Sequence, residues 1–250
     1  MACPVGLLRS VATLFVLQAA FASQTALSQA ADFSGTWLSV PALGDVWDVT
    51  ALPLTPAAQA RLAAFDPQRL DSTYFCMPFG TPRNILNTAA RPLRLIQTST
   101  QLTLLFDGLG DVRRVFLDGR AQPQDPIPSW MGYSLGHWQG STLLIDTIAM
   151  TSESILTDSG LPHSDAMQVH EQLQLVEQAG ETLLQLTIQV SDPEYYQSPL
   201  TATRYFRRAD YAQLSEGSSQ CLLDQWRRRL EDVNRAMYRE LQAAGTGQAQ

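Results

Sequence analysis

From Leu93 to Arg208 apolar residues recur at alternate positions or in short runs, and turn-forming residues divide the runs. The runs are "LRLIQTS", "QLTLLFD", "DVRRVFLDG", "GYSLGHWQG", "STLLIDTIAM", "AMQVHEQLQLV", "ETLLQLTIQVSD" and "TATRYFRR", with "FSGTWLSV" (Phe33 to Val40) as a first strand ahead of them. Turn signals such as "DGLGD", "WQGST" and "EQAGE" stand between successive runs, the mark of antiparallel hairpins. No helix-length segment separates the runs, which disfavours a parallel α/β sheet. About 8–10 strands in this arrangement predict a mainly β fold, a closed or nearly closed antiparallel barrel or a sandwich. Two helices flank it. "LTPAAQARLAAF" (Leu54 to Phe65) begins with Thr55 as N-cap and Pro56 at the first helical position. In the tail Leu222, Leu223, Trp226, Leu230, Val233, Met237 and Leu241 recur at three- and four-residue steps, an apolar stripe that predicts a helix packed on the outside of the barrel.

The start of the chain reads as an export signal. Arg9 precedes the apolar run Val11 to Ala22, small residues follow, and the run is too short for a membrane span. The expected layout is a signal peptide over 1–31, a barrel over 32–210, a helix over 211–244 and a disordered tail over 245–250. The expected location is periplasmic or secreted. In an oxidising compartment the two cysteines left after cleavage, Cys76 and Cys221, are expected to pair, and a loop of that length is stabilised by about 5 kcal/mol on the chain-entropy picture. All 17 basic residues are arginine, so lysine Schiff-base and P-loop chemistry are excluded. A net charge of −7 in 250 residues argues against a nucleic-acid partner.

Gly132 to Gly136 spells G-Y-S-L-G, the G-x-S-x-G pattern of a hydrolase nucleophile. That elbow needs a helix after the serine, whereas here a turn and another strand follow. Ser134, Asp146 and His163 stand in hydrolase order, yet they span a short stretch without a helix. The glycines are better read as bend sites, where a barrel coils or another backbone comes close.

Gly35 and Trp37 of "FSGTW", on a first strand, resemble the lipocalin Gly-x-Trp signature. That resemblance implies a tryptophan plugging the closed barrel end with an arginine from the last strand stacked on it, here Arg204, Arg207 or Arg208. From Phe33 to Arg208 the chain also resembles a widespread set of exported bacterial proteins with a lipocalin-like (calycin-type) barrel. The resemblance rests on "FSGTW", "LTPAAQARLAAFDP", "CMPFGTPR", "VRRVFLDGR", "WMGYSLGHWQGSTLLIDT", "GLPHSDAMQVHE" and "DPEYY". Tyr133, His137, Gln139 and Ser141 stand where that family's pattern has His, Arg, Glu and Asp.

Alternation in "GLPHSDAMQVHEQLQLV" puts Met167, Val169, Glu171, Leu173 and Leu175 on one face, so Glu171 is expected inside the barrel. An inward carboxylate costs several kcal/mol unless paired, and Arg113, Arg114 or Arg204 are the candidate partners. Asp146 alternates with Leu144 and Ile148 and is expected inward as well. His163, oriented by Asp165, is a candidate general base at the barrel rim. The histidines His137, His163 and His170 lack the spacing of a metal site, and no cofactor or metal is expected. The favoured expectation is an exported barrel binding a small hydrophobic molecule, with Asp146, Glu171, Arg113, Arg114, Trp138 and Tyr133 as ligand contacts. An alternative is a cofactor-free isomerase, hydratase or cyclase using His163, Asp165 and Glu171. A second alternative is a structural envelope protein with a filled barrel.

Overall fold

The computed structural model describes residues 30–44, 47–75, 77–86, 92–106 and 111–209, with isolated helical positions in the tail at 227, 230–232, 234–235 and 239. The signal segment and the packing of the tail helix lie outside the described residues. So do Cys76 and Cys221, and with them the expected disulfide.

Nine strands close into one barrel in chain order. They are β1 (Gly35–Ser39), β2 (Leu93–Gln97), β3 (Gln101–Phe106), β4 (Val112–Phe116), β5 (Tyr133–Gln139), β6 (Thr142–Ile148), β7 (Gln168–Gln178), β8 (Glu181–Ser191) and β9 (Leu200–Ala209). Each matches one of the alternating runs. The ring closes where β1 pairs β9, with Trp37 opposite Arg208. The β7–β8 hairpin turns on Ala179 (φ 53°) and Gly180 (φ 82°), the left-handed pair that a two-residue loop needs to follow the strand twist.

The expected all-antiparallel arrangement fails at one place. β4 and β5 run parallel, paired at Val115 with Ser134 and Phe116 with Leu135. Alternating directions cannot go all the way round an odd-numbered ring, so nine closed strands require a parallel neighbour. The segment 117–132 supplies it by returning from one barrel end to the other. Pro123, Pro126 and Pro128 lack the amide hydrogens that a ladder needs, which keeps this return from becoming a strand.

Gly132 and Gly136 serve this junction. Gly132 has φ +67°, and a Cβ there would lie 2.7 Å from the Ile148 carbonyl oxygen and 2.6 Å from Met150 Sδ. On Gly136 a Cβ would lie 2.6 Å from Leu117 Cδ2 and 2.9 Å from Val115 Cγ1. The G-x-S-x-G spacing is therefore strand packing.

The two barrel ends differ. At one, Trp37 is buried, donates from Nε1 to the Phe33 carbonyl oxygen (2.9 Å), and lies under the Arg208 guanidinium, 4.6 Å from the ring centroid. Phe33 stacks on Trp138 with centroids 5.5 Å apart. Gly35 lacks the Cβ that would come within 2.6 Å of Arg208 Nη1. Arg204, one of the arginines considered for the stack, instead bonds the Leu86 carbonyl oxygen (2.8 Å), because it stands four residues before the position opposite Trp37.

At the other end the described residues between β1 and β2 (40–44, 47–75, 77–86 and 92), with the connections 149–167 and 192–199, form a cap. The cap contains α1 (Pro56–Ala63), α2 (Pro67–Leu70) and α3 (Arg83–Leu86). Thr55 caps α1, accepting from Ala58 N (3.2 Å), with Pro56 in the first turn. Buried Arg83 ties the cap together, giving Nη1 and Nη2 to Asp71 (2.9 and 2.8 Å) and Nη2 also to Asp158 (2.7 Å). Among the described residues no helix is long and apolar enough to cross a membrane.

Gly119 and Gly132 separate conformational from steric cost. Both have positive φ, yet a Cβ on Gly119 meets nothing within 4 Å. Gly119→Ala is expected to cost about 1 kcal/mol, and Gly132→Ala about 1–3 kcal/mol more from overpacking. Urea unfolding of the two variants measures the difference.

Candidate functional site

Inside the barrel the strands present Leu93, Leu95, Leu102, Leu104, Val115, Leu143, Ile145, Val169, Leu173, Leu184, Leu186, Ile188, Val190 and Phe206. Arg113, Ser134, Thr147 and Glu171 lie on the same inner face. All of these are 2% exposed or less. Glu171 faces inward as its alternation predicts. Of its candidate partners Arg113 takes it, with Nη1 giving to Oε1 (2.9 Å) and Nη2 meeting Oε2. Arg113 Nε donates to Ser134 Oγ (3.1 Å) and Nη2 to Thr147 Oγ1 (2.7 Å), and the two hydroxyls are 2.9 Å apart. Ser134 is thus a buried partner of an ion pair and no nucleophile.

The expected polar cluster does not assemble. Asp146 lies on the outer face of β6, half exposed and 2.5 Å from His170 Nδ1. The inner positions of that strand are Leu143, Ile145 and Thr147, one residue out of phase with the expectation. Arg114 points away from Arg113, to the outer face. With Tyr133, Phe116 and Trp130 it lines an external cleft of about 470 Å³ beside the parallel junction. Trp138 belongs to the closed barrel end. His163 and Glu171 do not meet, since Glu171 is sealed in the lumen while His163 belongs to the cap.

His163 stands on the wall of a cavity of about 440 Å³ between α1, α2 and the 149–167 connection. Its Nδ1 is 3.1 Å from the Ser164 carbonyl oxygen, which can only accept, so Nδ1 carries the proton. Nε2 then holds a lone pair and accepts from Ser154 Oγ at 2.7 Å. Asp165 does not orient the ring as expected. Its Oδ1 accepts from Ser152 N (2.8 Å), the Ser152 side chain and this backbone bond together hold its carboxyl below the usual range, and the Ser164 carbonyl holds the histidine instead. Burial pushes the His163 pKa down, although Ser164, Asp192 and Asp165 act against this.

The other walls carry Phe65, Leu70, Phe75 and Ile155, with Arg61, Arg69 and Glu153 exposed at the rim. Ser154, Arg61 and Arg69 were not legible as site residues. Ser154 lies in an irregular connection where no periodicity points inward, and the arginines sit on short helices whose partners only the fold supplies. A third cavity of about 220 Å³ reaches the barrel mouth at Ala202 and Arg204, beside Trp47 and Asp158. Among the described residues no three His, Cys, Asp or Glu side chains gather as a metal site.

No family model matches the chain, and no curated protein is similar to it. Among solved structures it is similar to a variant of the fluorescent protein UnaG, at 15% identity over 71% of this chain and 96% of that one, with a TM-score of 0.33.

Two outcomes follow from this geometry. Glu171→Leu, which strands the Arg113 charge, is expected to cost about 3–5 kcal/mol in urea unfolding. The double variant Arg113→Met/Glu171→Leu is expected to recover most of it, because Ser134 and Thr147 keep each other as partners. His163 has a folded pKa below its unfolded value of about 6.5. Protons therefore favour the unfolded chain, so this contribution is complete above pH 6.5 and is lost as pH falls below it. Unfolding free energies between pH 7.5 and 5 should decline more steeply for wild type than for His163→Gln.

Proposed function

We propose that the chain is an exported, lipocalin-like protein that binds a small molecule with an apolar body and an anionic head in the cap cavity. On this reading the barrel is the rigid mount. Export is supported by Arg9 and the apolar run Val11 to Ala22. The observation that carries the binding reading is the convergence, on one cavity of about 440 Å³, of the hydrogen-bonded Ser154–His163 pair and apolar walls, with two arginines at the rim. Arg61, Arg69 and Glu153 are the charged residues lining that cavity, while the whole chain carries −7. An anion is drawn to such a local field and repelled by most of the remaining surface. The burial of the described inner-face residues, 2% exposed or less, supports this cavity over the lumen as the site of the small hydrophobic molecule.

The probe for this reading is 1-anilinonaphthalene-8-sulfonate, an aromatic anion. Its fluorescence should rise saturably with folded protein. Arg61→Ala/Arg69→Ala should weaken binding about tenfold, the effect of losing roughly 1.4 kcal/mol of charge-assisted contact, with near-UV circular dichroism unchanged. Absence of saturable binding, or equal affinity in the double variant, overturns the proposal.

A further inference from the structure

Ser154 and His163 have a relationship that ligand binding alone does not require. We infer that Ser154 is a nucleophile and His163 its general base, so that the cap cavity cleaves carboxylic esters that carry an anionic group. This rests on the binding reading above and adds a reaction to it.

The geometry meets the requirements of an activated serine one by one. The Oγ to Nε2 separation of 2.7 Å falls in the range for a nucleophile and its base. The proton on Nδ1 leaves Nε2 free to accept, and burial keeps the ring neutral, the form a base needs. A third group fixes the ring, here the Ser164 carbonyl. That peptide is itself clamped, because buried Asp192 accepts from Ser164 N (2.6 Å) and Ser164 Oγ (3.0 Å). Asp192 is a positioning residue, acting on the imidazole through the Ser164 peptide. Ser154 and His163 are 4% and 1% exposed, yet both border the cavity, so the pair is buried and still reachable from it. The Ser72 hydroxyl, another lining group, is buried without a hydrogen-bond partner among the described residues, and a substrate oxygen would satisfy it.

In the reaction Ser154 Oγ bonds to the ester carbonyl carbon while its proton passes to His163 Nε2. The bond to the leaving alkoxide then breaks, and His163 returns the proton to that oxygen. Water, deprotonated by the same nitrogen, attacks the acyl-serine; the bond from the acyl carbon to Ser154 Oγ breaks, and the serine regains its proton. One ester and one water become one acid and one alcohol, and nothing is oxidised or reduced. The rim arginines select esters with a negative charge on either half.

The full-length protein tests this with two reagents, a fluorophosphonate and the mono-4-nitrophenyl ester of glutaric acid. The expected results are a phosphonyl adduct located on Ser154 by peptide mass spectrometry and ester turnover above the buffer rate. Ser154→Ala should lower that turnover by about a thousandfold. His163→Gln should lose both adduct and turnover with near-UV circular dichroism and the urea unfolding midpoint at pH 8 unchanged, which a purely structural role for the ring would not give. An adduct on another residue, or none with no turnover, overturns the inference. Because the adduct is located on wild type, the result stands even if Ser154→Ala fails to fold. Probe binding without adduct or turnover removes the catalytic step and leaves the binding reading standing. Absence of probe binding removes the binding reading itself.

Discussion

Arg113 and Glu171 meet in the barrel interior with neither side chain exposed, and the surrounding architecture is arranged to make that tolerable. Removing two charges from water costs several kcal/mol per ion, and attraction offsets this only with good geometry and satisfied hydrogen-bonding groups. Here the contact is a two-pronged fork, and the remaining guanidinium donors go to Ser134 and Thr147. The four residues come from β4, β5, β6 and β7, so the cluster spans the place where the ladder is shortest, the parallel β4–β5 contact with its two paired positions. Backbone pairing is weakest there, and side-chain bonding across the lumen compensates.

A polar cluster so completely satisfied has little left to offer a ligand. Both carboxylate oxygens and the guanidinium nitrogens are engaged within the protein, and the aliphatic residues around them pack closed. In the cap, by contrast, short helices and irregular chain bring a serine, a histidine and two arginines to one hollow. This division is common in compact folds: regular elements hold, and connections carry the chemistry.

Much of the barrel was legible because period-two alternation has one physical meaning, a strand with one buried face. It located all nine strands and turned Glu171 inward. It misled at β6, where Leu143, Leu144 and Ile145 are apolar in succession, so both faces look inward and the phase of Asp146 is ambiguous. The parallel junction was implicit in an odd strand count joined to ring closure. Which of Arg204, Arg207 and Arg208 would cover Trp37 depended on the β1–β9 register, which alternation does not set. His163 was legible as a reactive type in a loop. Its partner Ser154 was not, because a hydrogen bond between two irregular segments leaves no spacing in the chain. The "PHSD" segment suggested an Asp165–His163 couple, whereas backbone geometry gave Asp165 to Ser152.

The register that closes the ring also sets how the molecule is presented. Thr36 pairs with Ala209, so the chain enters and leaves the barrel side by side, next to the Trp37 plug. Every cap connection departs from the opposite rim. A linker joined to the barrel directly before Gly35 or after Ala209 therefore starts at the plugged end, and the hollow bearing Ser154 and His163 faces away from that junction.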